Sequence, residues 1–428
     1  MFKQFVQRKL ERYVKKYFNK HPEVKLVAVA GSVGKTSTKR AIATLLSQKY
    51  RVGMHEGNHN MNISAPVAIM GVKYPENVHS ISAWLSVFAA MRERIRQPSG
   101  VDVIVVELGT DHPGEIAAYG KYLRPDISVI TAVTAEHMEF FGTIEAVAAE
   151  EIEAANFSKL AIINRDDVEG RFADLLTNSN VDTYGTTGAA EYRFEIKDFS
   201  VEKGYIGQVI TSEYAEPITA TIKVVGEHSL RPPMGAVAVA CKLGLNPTEI
   251  AAGLKLIRAT PGRMNLLRGF KNSTIIDDTY NSSPLSASSA LQTLYSLQAP
   301  QRIAILGTMN ELGASSQVEH EKLGAMCDPS LLAWVITVGN EAEKYLAPAA
   351  KARGCPVRSF KTAIEAGAFV HKMMEKDAAI LAKGSQGDVY LEEAVKVLAL
   401  MTEGDELVRQ SPAWLETKEK FFSKFEGQ

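Results

Sequence analysis

Lys35 and Thr36 follow Gly31-Ser32-Val33-Gly34, which closes the apolar run Val27–Ala30, and they lead into a helix expected over Lys39–Leu46. Glycines let backbone N–H groups close on an anion, and a helix N-terminus favours negative charge there. A lysine at this spacing reaches β- and γ-phosphates, and the neighbouring hydroxyl can ligate Mg²⁺. Gly31, Ser32, Gly34, Lys35, Thr36 and Ser37 therefore read as a cradle for a nucleoside triphosphate. Only two residues separate the glycines, where the general pattern has four and would need glycine at Val29. Further along, Val103–Glu107 ends in a carboxylate. Ligands of parallel sheets bind at the carboxyl ends of strands, so Glu107 is placed to offer oxygen to the Mg²⁺ of a triphosphate. The run Ile127–Thr131 leads into Glu136-His137, and the His137 imidazole is a candidate ligand for a second metal. Alone, a strand-end Glu or His more often caps or faces solvent; in chain order behind a phosphate loop the two reinforce each other.

The elements that would position these residues follow from periodicity. Short apolar strands at Lys25–Ala30, Val103–Glu107, Ile127–Thr131 and Leu160–Asn164, the last three separated by helical segments, predict a parallel α/β sheet. From Thr183 to Val225 the pattern turns alternating and β-branched, as in Ile218-Thr-Ala-Thr-Ile, which predicts antiparallel strands added to the same domain. Thr260-Pro261-Gly262 breaks the helical stretches Pro233–Leu243 and Pro247–Ile257. A second α/β pattern then begins, with strands expected at Ser273–Asp277, Arg302–Leu306, Trp334–Val338, Val357–Phe360 and Ala379–Ala382. The expected domains are a basic amphipathic helix over 1–23, a nucleotide-binding domain over 24–260, and a smaller α/β domain with a helical tail over 261–428, with the active site in the cleft between the last two.

In the first segment Phe2, Phe5, Val6, Leu10, Tyr13, Val14, Tyr17 and Phe18 recur at helical spacing amid Lys3, Arg8, Lys9, Arg12, Lys15 and Lys16. Two readings stay open: peripheral docking of residues 1–22 on the inner face of a membrane, or packing against the nucleotide domain. An apolar helix, Ile81–Met91, closed by a basic stretch, and a tail over 405–428 carrying Trp414, Phe421 and Phe422 have no assigned role.

A chain of 428 residues with 46% hydrophobic and 23% charged content is an ordinary globular sequence, and its formal net charge of −1 provides no field for a polyanion. Nucleic acid is thereby set aside as a main partner. Three scattered cysteines suit buried thiols in a reducing compartment. Neither a secretory signal nor about 18 consecutive apolar residues is visible, so the cytoplasm is expected.

Taken in order, Gly31–Ser37, Gly57–Pro66, Glu107-Leu-Gly with Pro113-Gly-Glu-Ile, Arg124-Pro-Asp, Glu136–Gly142, Asn164–Asp167, Pro261–Met264, Ile276–Asn281 with Pro284, Leu306–Gly313 followed by His320, and Lys383–Gly387 resemble the motifs of the Mur ligases. These are ATP-dependent amide ligases of peptidoglycan-precursor synthesis, and the likeness is strongest to the branch that adds D-alanyl-D-alanine. The resemblance implies a central ATPase domain with added antiparallel strands and a Rossmann-like C-terminal α/β domain. It implies ATP and Mg²⁺ as cofactors, with Lys35 and Thr36 on the phosphates and first Mg²⁺ and Glu107 completing that metal's shell. His137 would serve the second Mg²⁺, Asn164 the adenine, Arg263 the phosphates and Asp278 the ribose. Tyr280, Asn281, Lys383 and Ser385 would line the amine's side. The implied chemistry is transfer of phosphate from ATP to an acceptor carboxylate, then attack by an amine on the acyl phosphate.

Four departures accompany the likeness. Only 30 residues precede the phosphate loop, so the family's UDP-sugar-binding domain is expected to be missing, its role passing to a smaller or lipid-linked acceptor, to residues 77–100, to the N-terminal helix or to a partner protein. Ser229 and Pro232 stand where the family has adenine-contacting asparagines. Gln386 replaces an arginine and Thr308 an aspartate, which counts against the D-alanyl-D-alanine dipeptide as amine. Nine residues beyond Gly142, where the family carries a lysine carbamylated by CO₂, stands Glu151, whose own oxygens would ligate the second Mg²⁺. The other reading makes Glu150, Glu151 and Glu153 an exposed acidic helix face. A ligase-like scaffold that binds ATP and acts with a partner protein is the alternative function; a P-loop NTPase switch or motor is disfavoured because no guanine-reading Asn-Lys-x-Asp occurs.

Overall fold

A computed structural model describes residues 2–55 and 60–425; Gly57, Asn58 and His59 of the Gly57–Pro66 segment lie outside the described residues. The chain forms two compact units, one of Met1–Thr134, Phe140–Lys223 and Leu230–Ile257, the other of Ala135–Glu139, Val224–Ser229 and Arg258–Gln428.

The first unit is built on nine strands: β1 (Lys25–Ala30), β2 (Val52–Met54), β3 (Val103–Glu107), β4 (Ile127–Ile130), β5 (Leu160–Asn164), β6 (Val181–Gly185), β7 (Tyr192–Ser200), β8 (Gly204–Ile210) and β9 (Ile218–Ile222). Their order is β2-β3-β1-β4-β5-β6-β7-β8-β9. The strands β1, β3, β4 and β5 are buried almost throughout, as expected of parallel strands covered by helices on both faces. The pairs β7–β8 and β8–β9 are antiparallel and extend the same sheet, and β8 alternates between buried and half-buried positions. Strand β1 lies between β3 and β4, the point where the chain changes direction across the sheet. Its carboxyl end opens into the Gly31–Gly34 loop, so topology alone puts that loop where open α/β sheets bind ligands.

On the helix Phe2–Lys20, Val6, Leu10, Tyr13, Val14 and Tyr17 are buried. The ring of Tyr13 meets Phe88 of the helix Ile81–Arg96, and His21 and Lys20 reach the carbonyls of Ile95 and Arg96. Most of the apolar stripe is therefore core, which is the packing reading; Phe2 and Phe5 are outside it.

The second unit has six strands: β10 (Asn265–Arg268), β11 (Thr274–Asp278), β12 (Arg302–Gly307), β13 (Trp334–Val338), β14 (Val357–Phe360) and β15 (Ala379–Lys383), in the order β10-β11-β15-β12-β13-β14. All pairs are parallel except β10–β11. Its core combines Ile275, Ile303, Ile305, Ile336 and Ile380 with Ala366, Val370 and Leu398 from the covering helices. Register places Asp278 opposite Lys383, and Leu306 opposite Lys383 on the other side.

Candidate functional site

In the first unit the loop after β1 takes left-handed backbone at Gly31 (φ 125°) and Gly34 (φ 89°). A Cβ at Gly31 would lie 2.3 Å from Thr131 Oγ1, so neither the angle nor the space admits a side chain. The helix Lys35–Leu46 starts at Gly34 with no side-chain cap, which leaves its first N–H groups aimed at the loop's hollow. Lys35 Nζ folds over this hollow, donating to Gly31 O at 2.5 Å and Ser32 O at 2.9 Å. The Ser32 hydroxyl accepts from Thr134 N at 3.1 Å and pins the loop to the end of β4, while Ser37 is half-buried in the helix's first turn. The cradle is thus formed by backbone and fits a polyphosphate.

Glu107, at the end of β3, is buried and meets three groups: Thr36 Oγ1 donates to Oε2 at 3.0 Å, Asn60 Nδ2 to Oε1 at 3.2 Å, and the buried Lys39 ammonium lies 3.5 Å from Oε2. The Thr36 hydroxyl and Glu107 carboxylate side by side are the hard oxygens Mg²⁺ takes, with the rest of its shell normally supplied by water and phosphate. This donor set fits one such ion. Lys39 and Asn60 escaped the sequence reading. Lys39 falls three residues after Thr36 on the same helix face, and Asn60 belongs to the Gly57–Pro66 motif, so both carried a signal.

Glu151 and its neighbour divide their work. Glu150 accepts from Gly114 N, Ile116 N and Thr110 Oγ1, fixing the turn after β3. Glu151 accepts from Gly31 N at 2.7 Å. Both are buried, so an exposed acidic face is not what this helix presents. Asn164, at the end of β5, donates to Thr131 O at 2.6 Å and Asp167 Oδ2 at 2.8 Å and accepts from Asp166 N. Both donors of its amide are engaged, so a base could only donate to it. Arg231 joins this network through Asp166 and Asp167. Burial raises the Asp167 carboxyl above its usual range; for Asp166 burial acts the same way, but hydrogen bonds from Thr186 outweigh it and hold that carboxyl low.

His137 groups with the second unit. It takes positive φ (52°), and its Nδ1 lies 2.8 Å from Glu311 Oε2, a contact that lowers the Glu311 pKa. Among the described residues no three His, Cys, Asp or Glu side chains gather as a metal-binding group. Glu107 and Glu151 belong to the first unit and His137 to the second.

The second unit's candidates cluster at the carboxyl ends of β11 and β15. Asp278 accepts from Met264 N at 3.0 Å and pairs with Lys383 Nζ at 2.7 Å; that ammonium also donates to Asn281 O. Lys383 is thus a buried brace of the Asp278–Asn281 turn, with one donor left for a ligand. The Arg263 guanidinium stacks 4.0 Å from the Tyr280 ring centre. Ser385 Oγ accepts from Asn310 N, tying the turns after β12 and β15. Thr308 Oγ1 accepts from Ala342 N, so it serves the backbone where the family has a charge. His320 Nε2 accepts from Met309 N, which leaves Nδ1 as donor to Ser316 O, and burial lowers its pKa. Sequence reasoning missed Asp277, whose oxygens accept from Gly262 N, Thr279 N and Thr279 Oγ1, and Arg409, which holds the carbonyls of Thr279 and Tyr280.

Two family descriptions match this sequence: Mur ligase middle domain over residues 29–240, and Mur ligase, glutamate ligase domain over residues 262–386. The UDP-N-acetylmuramoyl-tripeptide–D-alanyl-D-alanine ligase of Bacillus subtilis (strain 168) is 30% identical over 384 residues, 87% of this chain and 76% of the relative. The ligase of the same name from Rickettsia prowazekii is 28% identical, covering 87% and 77%. Among solved structures, MurF from Acinetobacter baumannii superposes with a TM-score of 0.73 at 23% identity (90% of this chain, 79% of that one), and MurF ligase from Thermotoga maritima in complex with ADP with 0.72 at 22% (91% and 83%). A Mycobacterium tuberculosis folylpolyglutamate synthase complexed with ADP and AMPPCP gives 0.63 at 18% (90% and 94%).

Proposed function

Because this chain belongs to the Mur ligase family and is, with it, an ATP-dependent ligase that forms amide bonds in peptidoglycan-precursor synthesis, we propose that it joins a carboxylate of a muramoyl-peptide precursor to a D-alanyl-D-alanine-like amine. The observation that carries this is the 30% identity to a ligase so named, spread over 87% of the chain.

An acceptor carboxylate oxygen bonds to the γ-phosphorus of ATP as the bond to ADP breaks. The amine nitrogen then attacks the acyl carbon, phosphate leaves, and one amine proton is released. Lys35 leaves the carbonyls of Gly31 and Ser32 to meet the transferring phosphoryl group, and the uncapped N–H groups after Gly34 hold its neighbours. Mg²⁺ would be held by Thr36 and Glu107 and would neutralise phosphate charge when bound. Glu151 is proposed to serve a second Mg²⁺ with His137; its bond to Gly31 N places it at the loop. Asn164 is proposed as an acceptor toward the adenine, Arg263 and Asp278 as further nucleotide contacts, and Tyr280, Asn281, Lys383 and Ser385 as the lining of the amine's side. A protein partner that delivers the acceptor is a further proposal. So is peripheral membrane contact through residues 1–22, which the exposed Phe2 and Phe5 favour.

The test is ADP release by the full chain with ATP, muramoyl-peptide acceptor and amine, each omitted in turn. Turnover should require the acceptor, and Lys35→Ala should lose on the order of 10²–10³-fold. Acceptor-independent hydrolysis, or more than about a tenth of activity in Lys35→Ala, would count against the reading. No turnover with any acceptor would favour the scaffold.

A further inference from the structure

Three apolar side chains that the core does not use lie on two neighbouring helices of the first unit: Phe5 is 60% exposed, Ile81 64% and Leu85 56%. They belong to two helices that run side by side in the same direction. Lys20 and His21 meet Arg96 and Ile95 at one end, and Tyr13 and Lys9 meet Phe88 farther along. The Lys9 ammonium lies 4.3 Å from the Phe88 ring centre and 5.6 Å from that of Phe5, so Phe5 and Phe88 flank one charge across the seam. Leu85 is one turn before Phe88 and Ile81 one turn before Leu85, which continues the apolar surface toward Phe2 and Val78, both exposed.

The charges on these two helices are mostly of one sign. Phe2–Lys20 carries seven Lys and Arg against one Glu, and Ile81–Arg96 three Arg against one Glu, in a chain whose Lys and Arg (48) and Asp and Glu (49) almost cancel. Arg8, Arg12 and Lys16 follow Phe5 at +3, +7 and +11, one exposed helix face. Exposed Phe, Ile and Leu beside the basic face of Arg8, Arg12 and Lys16 suit one occupant, the surface of an anionic bilayer: apolar side chains enter the boundary of the acyl region while cations meet lipid phosphates.

We propose that the paired helices Phe2–Lys20 and Ile81–Arg96 form one membrane-docking surface, inserting Phe5, Ile81 and Leu85 into an anionic leaflet. This rests on the peripheral-contact reading above and shifts it from the amphipathic stripe of residues 1–22, which is core, to a seam that needs the second helix. Deleting residues 1–22 would therefore expose core and test nothing; exposed point variants are required.

The full chain is to be sedimented with phosphatidylcholine vesicles with and without phosphatidylglycerol, at low and high salt, alongside Phe5→Glu and the double variant Ile81→Glu/Leu85→Glu. Wild type should bind only the anionic vesicles and release at high salt. Each variant should bind on the order of tenfold or more weakly, with unchanged thermal midpoint and ADP release. Failure of wild type to bind overturns both the seam and the peripheral contact. Loss in Phe5→Glu with full binding by Ile81→Glu/Leu85→Glu overturns the seam alone. Light scattering that shows a wild-type dimer dissolved by the double variant assigns the patch to a second copy and overturns the membrane proposal.

Discussion

Asp277 is wholly buried beneath the Pro261-Gly262 turn, and burial pushes its carboxyl up to about 6, against the pull of hydrogen bonds from Thr279 and Gly262. A raised folded pKa means that the folded chain holds the proton more tightly than the unfolded one. The stability this gives is full below about 3.8 and is lost as pH rises through about 6, a difference of about 3 kcal/mol. Urea titrations at intervals across this window should show wild type losing stability relative to Asp277→Asn as pH rises; parallel curves would contradict it. Glu151 separates two roles by a single substitution. If it serves a metal, Glu151→Gln should raise the Mg²⁺ concentration needed for ADP release, and activity should not depend on bicarbonate. If it only braces Gly31, glutamine keeps the acceptor and the Mg²⁺ dependence stays put. At this scale the sequence was legible where one motif held all the chemistry, as at Gly31–Ser37. It was illegible where partners are far apart in the chain: nothing near Lys383 announces that Asp278, 105 residues earlier, occupies its ammonium.

The C-terminal tail, which carried no assigned role, is held by a buried charge cluster. Arg409 pairs with Glu392, Lys418 of the helix Pro412–Phe422 reaches both Glu392 and Glu393, and Arg409 also holds the carbonyls of Thr279 and Tyr280. Removing one member leaves a buried charge without its full complement, so Arg409→Ala should cost about 3–5 kcal/mol in urea unfolding; a loss below about 1 kcal/mol, the range of exposed pairs, would contradict that. The buried strands of both sheets were readable because parallel strands covered on both faces are near-continuous in Val, Ile and Leu. Strands β2, β6 and β10 were not: β2 has three half-buried residues, β6 is half polar, and β10 is a four-residue antiparallel edge. The packing of the N-terminal helix was left open because periodicity identifies an apolar face without saying what covers it.

Across the whole molecule, the net charge of −1 conceals a basic end, since ten of the 48 cations lie on two helices. Family membership was readable because the motifs keep their order from Gly31 to Gly387, and the two family descriptions match over 29–240 and 262–386. The acceptor is the open term, and the chemistry can be tested without settling which acceptor is preferred. The direct measurement is to supply a muramoyl-peptide acceptor labelled with ¹⁸O in its carboxylate, together with ATP and amine, and to weigh the phosphate released. Formation of an acyl phosphate requires one carboxylate oxygen to leave with phosphate, so each turnover should place one ¹⁸O in inorganic phosphate and form one amide. Amide formation with unlabelled phosphate would contradict the account.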